Sequence, residues 1–191
     1  DLKGELGEVW GINTFYNAVR PAEARFSRWF EIHTPDYLRS KSQTEHWQAL
    51  AHLGDLGVEI VYMQQAHPEI PNSVAFPREE LSRYLAERFG SESEYVTSTF
   101  GYMVGLAIME GFEEIHVYGI DFDEAPEYYF ERAGLEYMIG LARGAGISVH
   151  VSPLSPLLHL GYVYGYTEPR MTLDQVKPAL DYLSEQIAIH K

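Results

Sequence analysis

Short apolar runs alternate along the chain with segments whose apolar residues recur at helical spacing. The runs predict buried strands over residues 8–13, 28–33, 58–63, 115–120 and 147–151. The other segments predict helices over residues 42–52, 77–89, 98–110, 126–142 and 172–189. Near-continuous apolar strands that alternate with helices are typical of a parallel sheet covered on both faces. We therefore predict an α/β fold with a doubly wound, mostly parallel sheet, in one domain that spans residues 1–191.

Capping residues predict where two of the helices begin and end. Ser42 is followed three residues later by Glu45, the spacing of a capping box, and Gly54 is the predicted end of that helix. Ser98 or the threonine after it is the predicted N-cap of the next well-defined helix, and Gly111 is its predicted C-cap.

Polar side chains follow several predicted strands at the point where each strand ends. Ligands of doubly wound sheets bind beyond the carboxyl ends of the strands, so these positions are candidate contacts. Asn13 and His33 end the first two strands, and Asp121 and Asp123 follow the fourth. An amide is suited to a nucleobase or sugar, and a carboxylate to a ribose, a hydroxyl or a metal ion. The structural alternatives are a turn closed by Asn13 and a helix capped by the aspartates. His33 and Asp121 are the candidate catalytic residues.

A cluster of three hydroxyl side chains, Thr97, Ser98 and Thr99, lies at a predicted helix N-terminus. Free backbone N–H groups and the helix dipole favour an anion at such a position, and hydroxyls add further donors. We predict an anion contact here, with N-capping by one of the three as the alternative.

Three further residues are candidate ligand contacts. Tyr128 and Arg132 lie on one predicted helix, where a phenol and a guanidinium suit a nucleotide, although Arg132 and Glu136 also have the spacing of a surface ion pair. Ser155 lies in the loop that leaves the last predicted strand at the same sheet edge.

The acidic composition narrows the range of partners. Lys and Arg number 14 against 28 Asp and Glu, so the net charge is −14. This balance weighs against bulk nucleic acid or an anionic membrane as a partner. It is compatible with a small ligand that is held at one local site. The chain has no cysteine, no secretory signal and no apolar run long enough to cross a membrane, and we expect a cytoplasmic location.

Common cofactor motifs are absent from the sequence. There is no glycine-rich dinucleotide fingerprint, no Walker A motif and no H-E-x-x-H motif. The eight histidines do not cluster along the sequence at metal-ligand spacing, so we predict no metal site.

Four segments together resemble one enzyme family. Residues 96–103 read VTSTFGYM and residues 119–122 read GIDF, while residues 11–16 read GINTFY and residues 153–158 read PLSPLL. These segments resemble the bacterial CMP-sialic-acid sialyltransferases of the Campylobacter type and related phage and bacterial proteins. More distantly, the chain resembles the archaeal pterin pyrophosphokinase-like group. The resemblance implies a three-layer Rossmann-like, nucleotide-binding fold whose first strand is missing here from the N-terminus of the sheet.

The resemblance also implies roles for particular residues. Asn13, the hydroxyl cluster and Asp121 match positions that contact the CMP moiety in those enzymes. The long lid that carries the family's catalytic histidine has no counterpart in the short connection from Phe122 to Pro126.

We therefore expect a glycosyltransferase-like protein that handles a nucleotide sugar. The alternatives are a non-catalytic nucleotide-binding module and a pyrophosphokinase-like enzyme. The last would need Mg²⁺, held by Asp121, Asp123 and Glu124.

Overall fold

The computed structural model describes residues 7–19, 25–90, 95–120, 128–153, 155–158 and 163–167. The chain divides into two compact units, Asp1–Arg83 and Tyr84–Lys191. The predicted helix over residues 172–189 lies outside the described residues.

The first unit contains a four-stranded parallel sheet. Its strands are β1 (Trp10–Ile12), β2 (Arg28–Phe30), β3 (Ile60–Met63) and β4 (Ser73–Ala75), in the order β1-β2-β3-β4. Three of the four were predicted from apolar runs. They are shorter than predicted: β1 lacks both ends of its predicted run, β2 lacks the last three residues and β3 lacks the first two.

One buried row of residues crosses this sheet. Gly11, Trp29, Val61 and Ser73 are successive register partners. Trp29 is fully buried, and a Cβ at Gly11 would overlap its indole ring. Glycine at this position therefore lets the largest side chain of the core lie against β1.

β4 was not predicted, because it follows β3 after a connection of nine residues that contains no helix. Parallel neighbours ordinarily need a longer crossover. Here His67 and Ile70 form a bridge within the connection, and the Ser73 hydroxyl accepts from the His67 N–H at 2.7 Å. These bonds close the short connection.

Two helices connect β2 to β3: α1 (Pro35–Leu38) and α2 (Thr44–Ala51). The predicted capping box of α2 is wrong, because residues 41–43 form a 3-10 turn and Gln43 takes the N-cap position without a side-chain bond. The predicted helix end at residue 52 is confirmed, because His52 is the C-cap, but the left-handed residue is Gly57, at φ 92°, and not Gly54.

The helix α3 (Arg78–Phe89) confirms the prediction for residues 77–89 and spans the boundary between the two units. The second unit then contains α4 (Thr99–Glu110), β5 (Glu114–Val117), α5 (Tyr128–Gly144) and β6 (Ser148–Val151).

The second unit is built around a parallel β5–α5–β6 arrangement. β5 and β6 pair in register with His116 opposite His150, and α4 packs against α5. Ser98 caps α4 and Gly111 ends it in a left-handed conformation, as predicted. The core of the unit includes Leu106, Leu135 and Ile139.

The predicted α/β class with parallel strands is therefore confirmed. Among the described residues, no helix has the length and apolar character needed to span a membrane.

Candidate functional site

The carboxyl edge of the four-stranded sheet brings Asn13 and Glu31 into neighbouring positions. Each follows its strand directly, and the backbone pairing continues past the strand ends. The Asn13 N–H donates to the Phe30 carbonyl at 3.0 Å, and the Glu31 N–H donates to the Tyr62 carbonyl at 2.8 Å. The residues after β1 and β2 thus meet at the edge where parallel sheets hold their ligands.

Glu31 is the centre of a chain of hydrogen bonds at this edge. Its side chain is fully buried. One carboxylate oxygen contacts His33 Nδ1 at 2.5 Å and accepts from the His33 N–H at 3.2 Å, and the other contacts His46 Nε2 at 2.6 Å. Burial raises the pKa of this carboxyl, but the hydrogen bonds from His33 and His46 outweigh it and hold the pKa at about 2. The carboxylate is therefore ionised at neutral pH.

His46 extends the chain into the protein interior. It lies on α2 and is buried, and its Nδ1 is 2.6 Å from the Tyr16 hydroxyl, whose ring stacks on the imidazole. Burial, and next the charge of Glu31, raise the pKa of Tyr16, so the phenol keeps its proton. One proton assignment satisfies every member: Tyr16 donates to His46 Nδ1, His46 Nε2–H donates to Glu31, and His33 Nδ1–H donates to Glu31.

His33 is the most exposed member of this chain. Its side chain is 46% exposed, and its ring lies 5.0 Å from that of Tyr37. An imidazole that donates its Nδ1 proton to a carboxylate carries its basic lone pair on Nε2. The geometry therefore combines a buried, ionised orienting group with a half-exposed imidazole, which is the arrangement of a general base.

Asn13 adds an unsatisfied acceptor to the same edge. Its backbone has a left-handed φ of 44°, and its carbonyl accepts from the indole N–H of Trp29 at 3.0 Å. Its side-chain oxygen is buried and has no hydrogen-bond partner. Buried polar atoms are nearly always satisfied, so an unpartnered oxygen at this edge is unusual.

A positive charge lies beside the loop that follows β3. The guanidinium of Arg39 is 5.2 Å from the ring centre of Trp47, and one of its nitrogens is 3.3 Å from His67 Nδ1. Burial, and next the charge of Arg39, lower the pKa of His67. Arg39 itself is half-exposed and 3.6 Å from Glu69. Arg39, at the C-terminal end of α1, therefore places a guanidinium between the indole of Trp47 and the residues of this loop.

The predicted hydroxyl cluster lies in the second unit, where two of its members make structural bonds. Thr97 donates to the Phe130 carbonyl at 2.6 Å. The Ser98 hydroxyl accepts from the Gly101 N–H at 3.2 Å as the N-cap of α4, and Thr99 is the first residue of that helix.

Arg132 and Ser155 also bind other parts of the second unit. Arg132 pairs with Glu136 at 2.9 Å and donates to the Pro156 carbonyl at 2.7 Å, which confirms the predicted ion pair. Ser155 donates to the Ile120 carbonyl at 2.8 Å.

The remaining candidates are not described by the structure. Asp121, Asp123 and Glu124 lie outside the described residues. Tyr128 begins α5, but its side chain is not among those described. Their ligand contacts, and the Mg²⁺ alternative that rests on them, stay predictions.

Sequence reasoning found His33 and Asn13 but missed Tyr16, Glu31 and His46. One signal was present: Glu31 interrupts the apolar run of residues 29–32, and a carboxylate in a buried strand must be paired. Nothing in the sequence indicates His46 as its partner, because that contact depends on how α2 packs.

The chain matches no family model, and no curated protein or solved structure is significantly similar to it.

Proposed function

We propose that the carboxyl edge of the four-stranded sheet is an acid–base catalytic site for group transfer to a hydroxyl. The observation that carries the proposal is the Tyr16–His46–Glu31–His33 chain, which runs from a partly buried phenol to a half-exposed imidazole. His33 is the general base, and Glu31 holds its ring and stabilises the imidazolium that forms.

The proposed reaction is the transfer of a sugar from a nucleotide to an acceptor alcohol. His33 Nε2 takes the proton of the acceptor hydroxyl as its oxygen bonds to the anomeric carbon. The bond from that carbon to the nucleotide phosphate oxygen breaks, and the phosphate leaves with the electron pair. The imidazolium stays bonded to the Glu31 carboxylate until it returns the proton to solvent.

The substrate class rests on the resemblance to CMP-sialic-acid sialyltransferases and on the chemistry of this edge. Within the proposal, the sheet belongs to a three-layer Rossmann-like, doubly wound architecture. Asn13 accepts a hydrogen bond from the base or sugar through its unsatisfied oxygen. Arg39 supplies positive charge for a phosphate, which matters in a chain of net charge −14.

Calorimetry with CMP, UMP and their sugar conjugates tests ligand binding, and chromatography after incubation with acceptor alcohols tests turnover. We expect His33→Ala and Glu31→Gln to lower kcat by about 10²–10⁴-fold. His52→Ala is a matched control, because this exposed histidine also pairs with one carboxylate, that of Asp55.

Two outcomes contradict the proposal. Recovery of every conjugate intact after long incubation, with binding observed, would identify a non-catalytic nucleotide-binding module. Equal turnover by His33→Ala and His52→Ala would exclude His33 as the base.

A further inference from the structure

The outward face of the β5–β6 sheet brings together two imidazoles and one carboxylate. Glu114 and His116 are two residues apart on β5, so their side chains share a face. His150 on β6 is the register partner of His116 and therefore lies on the same face. The apolar residues of the opposite face, Val117 and Val149, are buried.

The ligand atoms of these three residues converge on one point. His116 Nε2 and His150 Nε2 lie 2.9 Å and 2.8 Å from the same oxygen of Glu114. All three ligand atoms lie within 4.8 Å of one another. Tetrahedral ligands at bonds of about 2.0–2.1 Å are separated by about 3.3 Å. The two nitrogen–oxygen distances fall short of that separation by about 0.4–0.5 Å, so a small movement of the Glu114 side chain makes room for an ion.

The side chains are also accessible to an ion from solvent. The Glu114 and His150 side chains are 54% and 55% exposed, and that of His116 is 25% exposed. The two imidazole rings stack with their centres 4.5 Å apart, so two positive rings would repel each other. A shared divalent ion would instead be held by two neutral nitrogen donors and one anionic oxygen donor, and the negative charge of Glu114 would offset one of its two positive charges.

We propose that Glu114, His116 and His150 form a binding site for a late first-row divalent metal ion, with Zn²⁺ the best match. Two imidazole nitrogens and one carboxylate oxygen suit Zn²⁺ and its neighbours in the series, whereas Mg²⁺ and Ca²⁺ prefer oxygen ligands throughout. Three protein ligands leave a fourth position for water or an anion, which is the pattern of an open rather than a closed zinc site.

The Tyr118 hydroxyl supports the ligand set from the other side of the His116 ring. It lies 3.4 Å from His116 Nδ1, the ring nitrogen that does not face Glu114, and its ring is nearly parallel to the imidazole. Metal-bound histidines commonly place their second nitrogen beside an oxygen, which fixes the tautomer.

The experiment is a calorimetric titration of the chelator-treated full chain with ZnCl₂, repeated with MgCl₂. A parallel titration with Co²⁺ follows the visible absorption that a bound Co²⁺ ion acquires from nitrogen and oxygen ligands. We expect one Zn²⁺ per chain at this site and no Mg²⁺ binding there. We expect His116→Ala and His150→Ala each to weaken Zn²⁺ binding at least about tenfold and to abolish the Co²⁺ spectrum.

The controls separate this site from other histidine pairs. His52→Ala removes an exposed histidine beside one carboxylate, and His33→Ala removes one of the two histidines that bind Glu31. Both should keep the ion and the Co²⁺ spectrum. Glu114→Gln is the second ligand variant if a histidine variant fails to fold, and it should weaken binding in the same way.

Unchanged Zn²⁺ affinity in all three ligand variants would overturn the proposal. It would also be overturned if His33→Ala lost the ion while the three ligand variants kept it. Because the titration measures binding without turnover, its result is independent of the catalytic role proposed for His33.

Discussion

Glu31 is a carboxylate that the fold buries and keeps charged. Removing a carboxylate from water is unfavourable unless hydrogen bonds replace the lost solvation. His33 and His46 supply them, so the pKa falls to about 2 although burial alone would raise it. The same bonds that stabilise the charge orient the two imidazoles.

This pairing predicts a specific dependence of stability on pH. The pKa of this carboxyl is about 2 in the folded state, whereas its ordinary value is 4.5. The difference contributes about 3 kcal/mol to the free energy of unfolding above pH 4.5, and this contribution is lost as the pH falls towards 2. In urea titrations from pH 5 to pH 2, the free energy of unfolding should fall more steeply for the wild type than for Glu31→Gln. The exposed Glu59→Gln variant serves as the control and should follow the wild type. Equal slopes for the wild type and Glu31→Gln would show that Glu31 is not stabilised by its partners.

Asn13 offers a test of ligand contact that leaves the backbone unstrained. Glycine adopts its φ of 44° readily, so Asn13→Gly should keep the free energy of unfolding within about 0.5 kcal/mol of the wild type. Loss of the unsatisfied oxygen should weaken nucleotide binding by about 5–10-fold in calorimetry. Asn13→Ala should in addition lose about 1 kcal/mol of stability, measured by urea titration. Wild-type affinity in Asn13→Gly would mean that the side chain does not contact the ligand.

At the level of elements, local signals predicted α4 well and α2 poorly. Ser98 and Gly111 mark the two ends of α4 as predicted, because each cap involves only residues of the helix itself or its immediate neighbours in sequence. Ser42 lies inside a 3-10 turn instead, and its hydroxyl contacts that of Ser40 at 3.0 Å. The capping signal before α2 failed because the residues that carry it form this turn.

The glycines of α5 provide a matched pair of substitutions. A Cβ at Gly134 would overlap the Thr97 hydroxyl, which donates to Phe130, whereas a Cβ at the exposed Gly140 would meet nothing within 4 Å. Gly134→Ala should lower the free energy of unfolding by about 1–3 kcal/mol through overpacking. Gly140→Ala should raise it by about 0.5–1 kcal/mol, because alanine restricts the unfolded chain. Thermal and urea unfolding of both variants measures the difference, and a stabilising Gly134→Ala would contradict this packing.

At the level of the whole molecule, the net charge predicts that polyanions such as nucleic acids are not partners. With a net charge of −14, the chain should not bind polyanions through general electrostatic attraction. A fluorescein-labelled oligonucleotide should show no change in anisotropy with up to micromolar protein at about 0.15 M salt. Binding that weakens steeply with salt would instead reveal a basic surface that the composition does not indicate.

The two proposed sites lie in different units, and they differ in how far the sequence alone could predict their residues. In the first unit, His33 and Asn13 were predicted because the carboxyl edge of a parallel sheet follows from strand assignment alone. In the second unit, Glu114, His116 and His150 were missed, because residues 34 positions apart become neighbours only through the register of β5 and β6.

The apolar pattern of the chain was sufficient for the α/β class, most strand and helix positions and the edge where Asn13 and His33 lie. These features depend on periodicity and capping within short segments, where the interacting groups are neighbours in sequence. The partners of Glu31 and the convergence of His116 and His150 on Glu114 depend on helix packing and strand register. Those contacts join segments distant in sequence, and their geometry exists only once the core has brought the segments together.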